Sequence, residues 1–262
     1  MSAARRAPIV AALALVLFAS AALADDAPPP PPAAPPDAAK LVEGLKSKDK
    51  PARLDAAAQA KDVQDDKLVA PLAALLDDDD AAVRHAAIEA LGHRTPPEAQ
   101  KKAAAALAAH LPKVAKKPES DVELIAAVQA LGALAQPSTL DALTSGIDGD
   151  TSVEVVKARL TAVANIPTAD AVDALIQFLA KQGRGKNGPQ REACRAALKE
   201  ATGESLGNEP DAWRAWWKDA KKTFDFAAAA QRRASEKQAK DDREQHKREK
   251  KDKKDDGGEG KK

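Results

Sequence analysis

Between residues 37 and 200 one alanine-rich helical pattern returns five times, and nothing else in the chain limits its fold so strongly. The clearest copy is "AAVRHAAIEALG" (81–92). Val83, Ala86, Ala87, Ala90 and Leu91 fall on one face at a spacing of about 3.6 residues, and Gly92 is expected to end the helix. The pattern returns in "PARLDAAAQA" (51–60), "DVELIAAVQALG" (121–132), "VEVVKARLTAVA" (153–164) and "PQREACRAAL" (189–198). With Ala60, Leu91, Leu131, Val163 and Leu198 equivalent, the steps are 31, 40, 32 and 35 residues. A period of this size belongs to solenoids, in which each unit buries its face against its neighbours.

A second amphipathic segment precedes each copy, at 37–47, 66–76, 98–111, 138–147 and 169–181. Polar turns such as "SKDK", "DDDD" and "DGDTS" separate them. No stretch alternates β-branched and polar residues as a strand would. The expected fold is therefore all-α: a solenoid of about five helix–turn–helix pairs. Composition fits this. The chain is 44% hydrophobic but only 3% aromatic, so much of its apolar content is alanine. Alanine favours helix and close approach while burying little area, which suits a long repetitive core.

The stretch "DDDDAAVRHAAIEALG" (77–92) resembles a HEAT repeat of the short, PBS-lyase-like kind: an acidic turn, Val-Arg, then an alanine-rich helix ending in Ala-Leu-Gly. The likeness extends over about residues 37–200, with Leu124 and Val156 where the crisp copy has its arginine. "ATGESLGNEPDAWRAWW" (201–217) also resembles an ending of exported bacterial HEAT-repeat proteins. The resemblance implies a curved protein-binding surface and no shared catalytic residues.

The chain ends differ from its middle. Residues 1–24 read as a cleavable signal peptide: Arg5 and Arg6, the apolar "IVAALALVLFA" (9–19), then "ALA" (22–24) before Asp25. The apolar run is short for a spanning helix, so no stable membrane span is expected after cleavage. The expected location is exported, periplasmic or secreted. Residues 25–36 form a proline-rich linker, since proline fixes φ and removes the amide donor. The repeat domain with its capping helix is expected over 37–222, and a charged low-complexity tail over 223–262. Residues 224–262 hold 13 basic and 10 acidic side chains, a balance suited to a solvated tail in weak contact with acidic surfaces. Losing Arg5 and Arg6 from 41 basic residues leaves 39 against 40 acidic ones, which gives no argument for nucleic acid.

Chemistry finds little to stand on. Cys194 is the only cysteine, so no intrachain disulfide forms, and its apolar helix face suggests a small hydrophobe. His85, His93, His110 and His246 show no ligand spacing, and "DDDD" lacks the spaced ligands and glycine of a calcium loop. "GRGKNG" (183–188) lacks the order of a phosphate loop, and there is no GxSxG. No catalytic residue, metal or cofactor is expected.

Two sets of residues remain as candidates. Arg53, Arg84, Glu89, Glu123, Gln129, Lys157 and Arg191 are expected to be solvated on the second helices and to meet a protein partner. Trp213, Trp216 and Trp217 share one helix face at i, i+3 and i+4, with Asn208 as the expected N-cap and Pro210 in the first turn. Either they form a capping helix that seals the solenoid's open end, or they offer a ligand platform. The leading functional expectation is a non-catalytic protein-binding scaffold of the cell envelope. The alternative is a glycan- or cell-wall-binding module using the tryptophans and the basic tail.

Overall fold

A computed structural model describes residues 37–115, 121–147, 151–182 and 188–256, all within the unit Pro36–Lys262. The signal peptide, the proline-rich linker and most of "GRGKNG" lie outside the described residues. Twelve helices and three short 3-10 turns, with no strand, make up the regular structure among the described residues.

Ten of the helices form the five expected pairs. They are α1 (Ala38–Leu45) with α2 (Lys50–Ala60), α3 (Val69–Ala74) with α4 (Ala81–Gly92), and α5 (Pro97–Val114) with α6 (Asp121–Leu134). Next come α7 (Leu140–Thr144) with α8 (Val153–Ala164), and α9 (Ala169–Lys181) with α10 (Pro189–Thr202). Two more, α11 (Pro210–Ala220) and α12 (Phe226–Asp256), follow.

The polar turns set the helix starts. Asp37, Asp49 and Asp80 each accept backbone N–H bonds in the first turns of α1, α2 and α4, and Ser152 and Thr168 do so for α8 and α9. These bonds satisfy donors that a helix start leaves without partners. Two first helices depart from their expected spans. α7 has only five residues after a 3-10 turn, and α5 continues past Pro112 to Val114. Pro112 lacks the amide that would bond to the carbonyl four residues back. The helix continues because Leu111 and Val114 are both buried in the core.

Each second helix packs on the next, α2 on α4, α4 on α6, α6 on α8 and α8 on α10. Glycine makes two of these joints close. Gly92 was expected to stop α4, yet it is helical and His93 is the C-cap. Its role is contact: a Cβ there would lie 2.9 Å from Ala130 Cβ. Gly132 repeats this inside α6, where a Cβ would lie 3.0 Å from both Cα and Cβ of Ala162. The glycine of each "ALG" ending therefore admits the neighbouring backbone rather than turning the chain.

Side chains also bind one pair to the next through helix ends. Arg94 is buried and donates to Ala90 O (2.9 Å), Val63 O (2.6 Å) and Ala60 O (2.6 Å). A cation thus sits at the C-terminal end of α2, where carbonyls lack helical partners and the helix dipole is negative. Asn165, just after α8, donates to Gly132 O at 3.3 Å. The core between these contacts is one continuous cluster from Leu41 through Ile88, Leu131 and Leu160 to Trp217.

Candidate functional site: the second-helix face and the aromatic end

The structure divides the seven charged and polar candidates by what they touch. Arg53 makes a two-point pair with Asp78, Nε to Oδ2 at 2.7 Å and Nη2 to Oδ1 at 3.1 Å. Its Nη1 donates to Ser47 O and Lys48 O. Arg84 repeats the arrangement one pair later: Nε to Glu123 Oε2 at 2.9 Å, and Nη1 to Asp78 O and Asp79 O. Glu123 also meets His110 Nε2 at 3.1 Å. Lys50 closes on Asp80 at 2.7 Å and Lys113 on Asp77 at 2.6 Å. These groups form a polar ladder across the first three pairs.

The ladder shifts its carboxylates. The hydrogen bond from Arg53 holds Asp78 below the usual carboxylate range, against the cost of its burial. For Glu123 burial pushes upward, but Arg84 and His110 outweigh it and the net direction is down. Arg53, Arg84 and Glu123 are thus largely committed inside the molecule rather than solvated. Arg191 is a plain correction. It is only 2% exposed, and its guanidinium reaches Asn208 O, with Glu209 Oε1 3.8 Å away. Its place on α10 turns it toward the start of α11, so it fastens the last pair to the end helix.

Glu89, Gln129 and Lys157 are exposed on α4, α6 and α8. Glu89 pairs with Lys61 across the first joint. Gln129 and Lys157 have no side-chain partner among the described residues. The first turn of α6 holds a further residue that sequence reading does not single out. Val122 is 75% exposed, the one large hydrophobic side chain so exposed among the described residues. Ile125 beside it is half-buried. The signal was present in the periodicity: Leu124, Ala127, Val128 and Leu131 fix the buried face of α6, and position 122 falls on the opposite side.

The aromatic end is built differently. Trp213 is fully buried and Trp217 is 3% exposed. Trp213 Nε1 donates to Gly207 O at 2.9 Å, and Trp217 Nε1 to Asp173 Oδ1 on α9 at 2.9 Å. Trp216 is half-buried, stacked on Trp217 with centroids 5.5 Å apart and edge-on to Trp213 at 6.0 Å. Phe224 and Phe226 complete the group, 4.8 Å apart and each edge-on to Trp217. Both phenylalanines lie in the segment expected to be tail. The first turns of α12 in fact pack against α10, with Ala229 buried and Arg233 Nε 3.4 Å from Glu200. Asn208 does not cap α11. Glu209 holds the N-cap position without a side-chain bond, and Pro210 is the first helical residue.

Cys194 is buried, donates to Leu175 O at 3.1 Å, and has its thiol pushed up to about 12 by burial. A thiol so hard to ionise is a poor nucleophile at neutral pH. Of the "DDDD" aspartates, Asp77, Asp78 and Asp80 serve as ladder acids, Asp80 also caps α4, and Asp79 offers its carbonyl to Arg84. Among the described residues no group of three His, Cys, Asp or Glu side chains is placed to hold a metal. None of the described helices is long and apolar enough to cross a membrane.

Residues 38–117, covering α1 through α5, match the family model for HEAT repeats. A crystal structure of an engineered protein is 20% identical, over 75% of this chain and 92% of that one, with a TM-score of 0.42. No curated protein matches the chain. The matched segment holds the clearest copy of the repeat, and paired helices in the same order continue beyond it through Thr202. Residues 38–117 thus match HEAT repeats, within a chain that folds as an all-α solenoid.

Proposed function

We propose that this protein is a non-catalytic scaffold that binds a protein partner on its second-helix face, after export to the cell envelope. HEAT repeats are interaction modules, which supports the general reading. The observation that carries the specific one is the exposed strip on α4, α6 and α8: Glu89, Val122, Gln129 and Lys157. An exposed apolar side chain among polar ones suits a small binding centre with a polar rim. The test places a photo-crosslinking residue at Val122 or Lys157 in the full chain, with Glu98 on α5 as the control position. Recovery of the same partner from both strip positions but not from Glu98, and its loss in Val122→Asp, is the expected result. Equal capture from all three positions would remove this face from consideration. Export is tested separately, by finding a secreted or periplasmic form that begins at Asp25.

The glycan-binding alternative has fewer groups to work with. Two of the three indoles are buried with their N–H groups bonded inside the molecule, leaving Trp216 alone near the surface. Tryptophan emission of the mature protein is expected to be blue-shifted, with only the Trp216 share open to a soluble quencher. Fully quenchable, red-shifted emission would restore the platform reading.

A further inference from the structure

His110 is a buried ionisable group that the ladder satisfies on one side only. It lies on α5 and is 2% exposed. Its Nε2 is 3.1 Å from Glu123 Oε1 on α6. Its Nδ1 is buried without a hydrogen-bond partner, 3.8 Å from Oδ1 of Asp77 in the turn before α4. One imidazole thus stands between carboxylates supplied by the second and third helix pairs.

Neither neutral form of the ring suits this place. With its proton on Nε2 the ring donates to Glu123, and the bare Nδ1 then faces the Asp77 carboxylate with no donor between them. With its proton on Nδ1, the bare Nε2 lies 3.1 Å from a carboxylate oxygen. Only the imidazolium carries a donor on both nitrogens. A buried polar atom without a partner is costly, and the largely exposed Asp77 has room to close the remaining distance. The surrounding charges act in both directions. Asp77 and Glu123 favour the cation; Lys113 on Asp77 Oδ2 (2.6 Å) and Arg84 on Glu123 Oε2 (2.8 Å) oppose it. With the exposed Asp79, five acids (Asp77 to Asp80 and Glu123) stand against four bases (Lys50, Arg53, Arg84 and Lys113). A proton on His110 brings the two to balance. Of the other elements against α5, α3 has no titratable side chain, and Asp121 on α6 and Asp141 on α7 are exposed.

We infer that His110 is a proton-operated clasp between the second and third helix pairs. In mildly acidic medium the imidazolium donates through Nε2 to Glu123 and through Nδ1 to Asp77, which ties the acidic turn, α5 and α6 together. In alkaline medium Nδ1 gives up its proton and the Asp77 arm opens. The folded clasp holds the proton between two carboxylates, as the unfolded chain does not. Its contribution to stability therefore grows as pH falls from about 8 to about 5, the range in which histidines change charge. Carboxylates ordinarily take up protons below that range, so the two responses to acid have opposite signs and separate windows.

The whole protein is melted in denaturant at pH 8 and pH 5.5 beside His110→Gln, which keeps an N–H donor but cannot titrate. On acidification the unfolding equilibrium constant of the unaltered chain should fall about fivefold relative to that variant, the worth of one hydrogen bond. Asp77→Ala should abolish this gain. Glu98→Ala, the same change of charge at the far end of α5, should keep it. Imidazole nitrogen NMR shifts of the unaltered chain read the proton directly: both His110 nitrogens should be protonated at pH 5.5, and Nε2 alone at pH 8. The clasp is refuted if the unaltered chain and His110→Gln respond alike to pH, or if the ring holds the same number of protons at both values. It is refuted equally if Asp77→Ala keeps the gain or Glu98→Ala loses it.

Discussion

The two ends of the solenoid hold together by different physics. From α1 to α6 successive pairs are joined by a polar ladder, Arg53 to Asp78 and Arg84 to Glu123, laid over an alanine and leucine core. From α9 to the start of α12 the closing material is aromatic: Trp213, Trp216, Trp217, Phe224 and Phe226 in mutual contact. An inner pair has a neighbour to cover each face, so small side chains and close joints suffice. The last pair has no such neighbour and needs bulk. Aromatic burial is non-directional and little affected by pH, whereas the ladder depends on charge and geometry. Conditions that weaken one end should therefore leave the other largely intact.

The largest expected effect is at the aromatic end. Trp213→Ala removes a fully buried indole and should cost about 3–5 kcal/mol, because the surrounding rings cannot close the cavity. Hydrogen exchange should show α9, α10 and α11 losing protection well before α2 and α4. Uniform loss from end to end would mean that the two regions unfold as one unit. Next comes the joint between α6 and α8. Gly132→Ala improves helix propensity by about 0.5–1 kcal/mol, yet its methyl would press on the backbone of Ala162. The net result should be a loss of about 1–3 kcal/mol in denaturant melts. A stabilised variant would show that this joint can widen without cost.

Acid sharpens the contrast. Asp78 and Glu123 have folded pKa values below their unfolded ones. Each therefore contributes stability that is present above the unfolded value and is lost as pH falls through the folded one. With ordinary carboxylates near 4, the loss should begin at about pH 4 and grow below it. At pH 3, protection against hydrogen exchange, corrected for the slower intrinsic exchange in acid, should fall in α2, α4 and α6 relative to pH 7 by a larger factor than in α11. The ladder is rejected as the cause if Arg84→Met leaves that difference unchanged.

Much of this was written in the sequence at the level of periodicity. The five pairs follow from apolar spacing and aspartate-rich turns, and the tryptophan spacing follows from helical geometry. What escaped was three-dimensional pairing. Arg53, Arg84 and Glu123 occupy positions that periodicity alone assigns to solvent, and only the offset between adjacent helices brings them within reach of partners 25 and 39 residues away. Arg191 was missed for the same reason, because its carbonyl partner lies beyond a turn. Gly92 misled because a helix-ending glycine and a close-contact glycine look alike in one dimension. Phe224 and Phe226 were read as tail because charge dominates the residues around them.

The smallest effect tests whether surface pairs belong to the ladder at all. Lys61 and Glu89 cross the same joint as Arg53 and Asp78, but their side chains are 36% and 47% exposed, against 18% and 6%. Both link the end or body of α2 to the next pair, Glu89 on α4 and Asp78 in the turn before it, and they differ chiefly in their exposure to solvent. An exposed pair gains little Coulomb energy, must order two long side chains, and is screened by salt. Lys61→Ala should therefore cost little, and the cost should shrink in high salt. Arg53→Ala strips a half-buried two-point pair and leaves Asp78 short of its donors, so it should cost clearly more than Lys61→Ala, with weaker salt dependence. Parallel denaturant melts of the two variants at low and high salt measure the difference. Equal costs would show that the ladder's strength comes from net charge across the joint rather than from the enclosed geometry of its arginines.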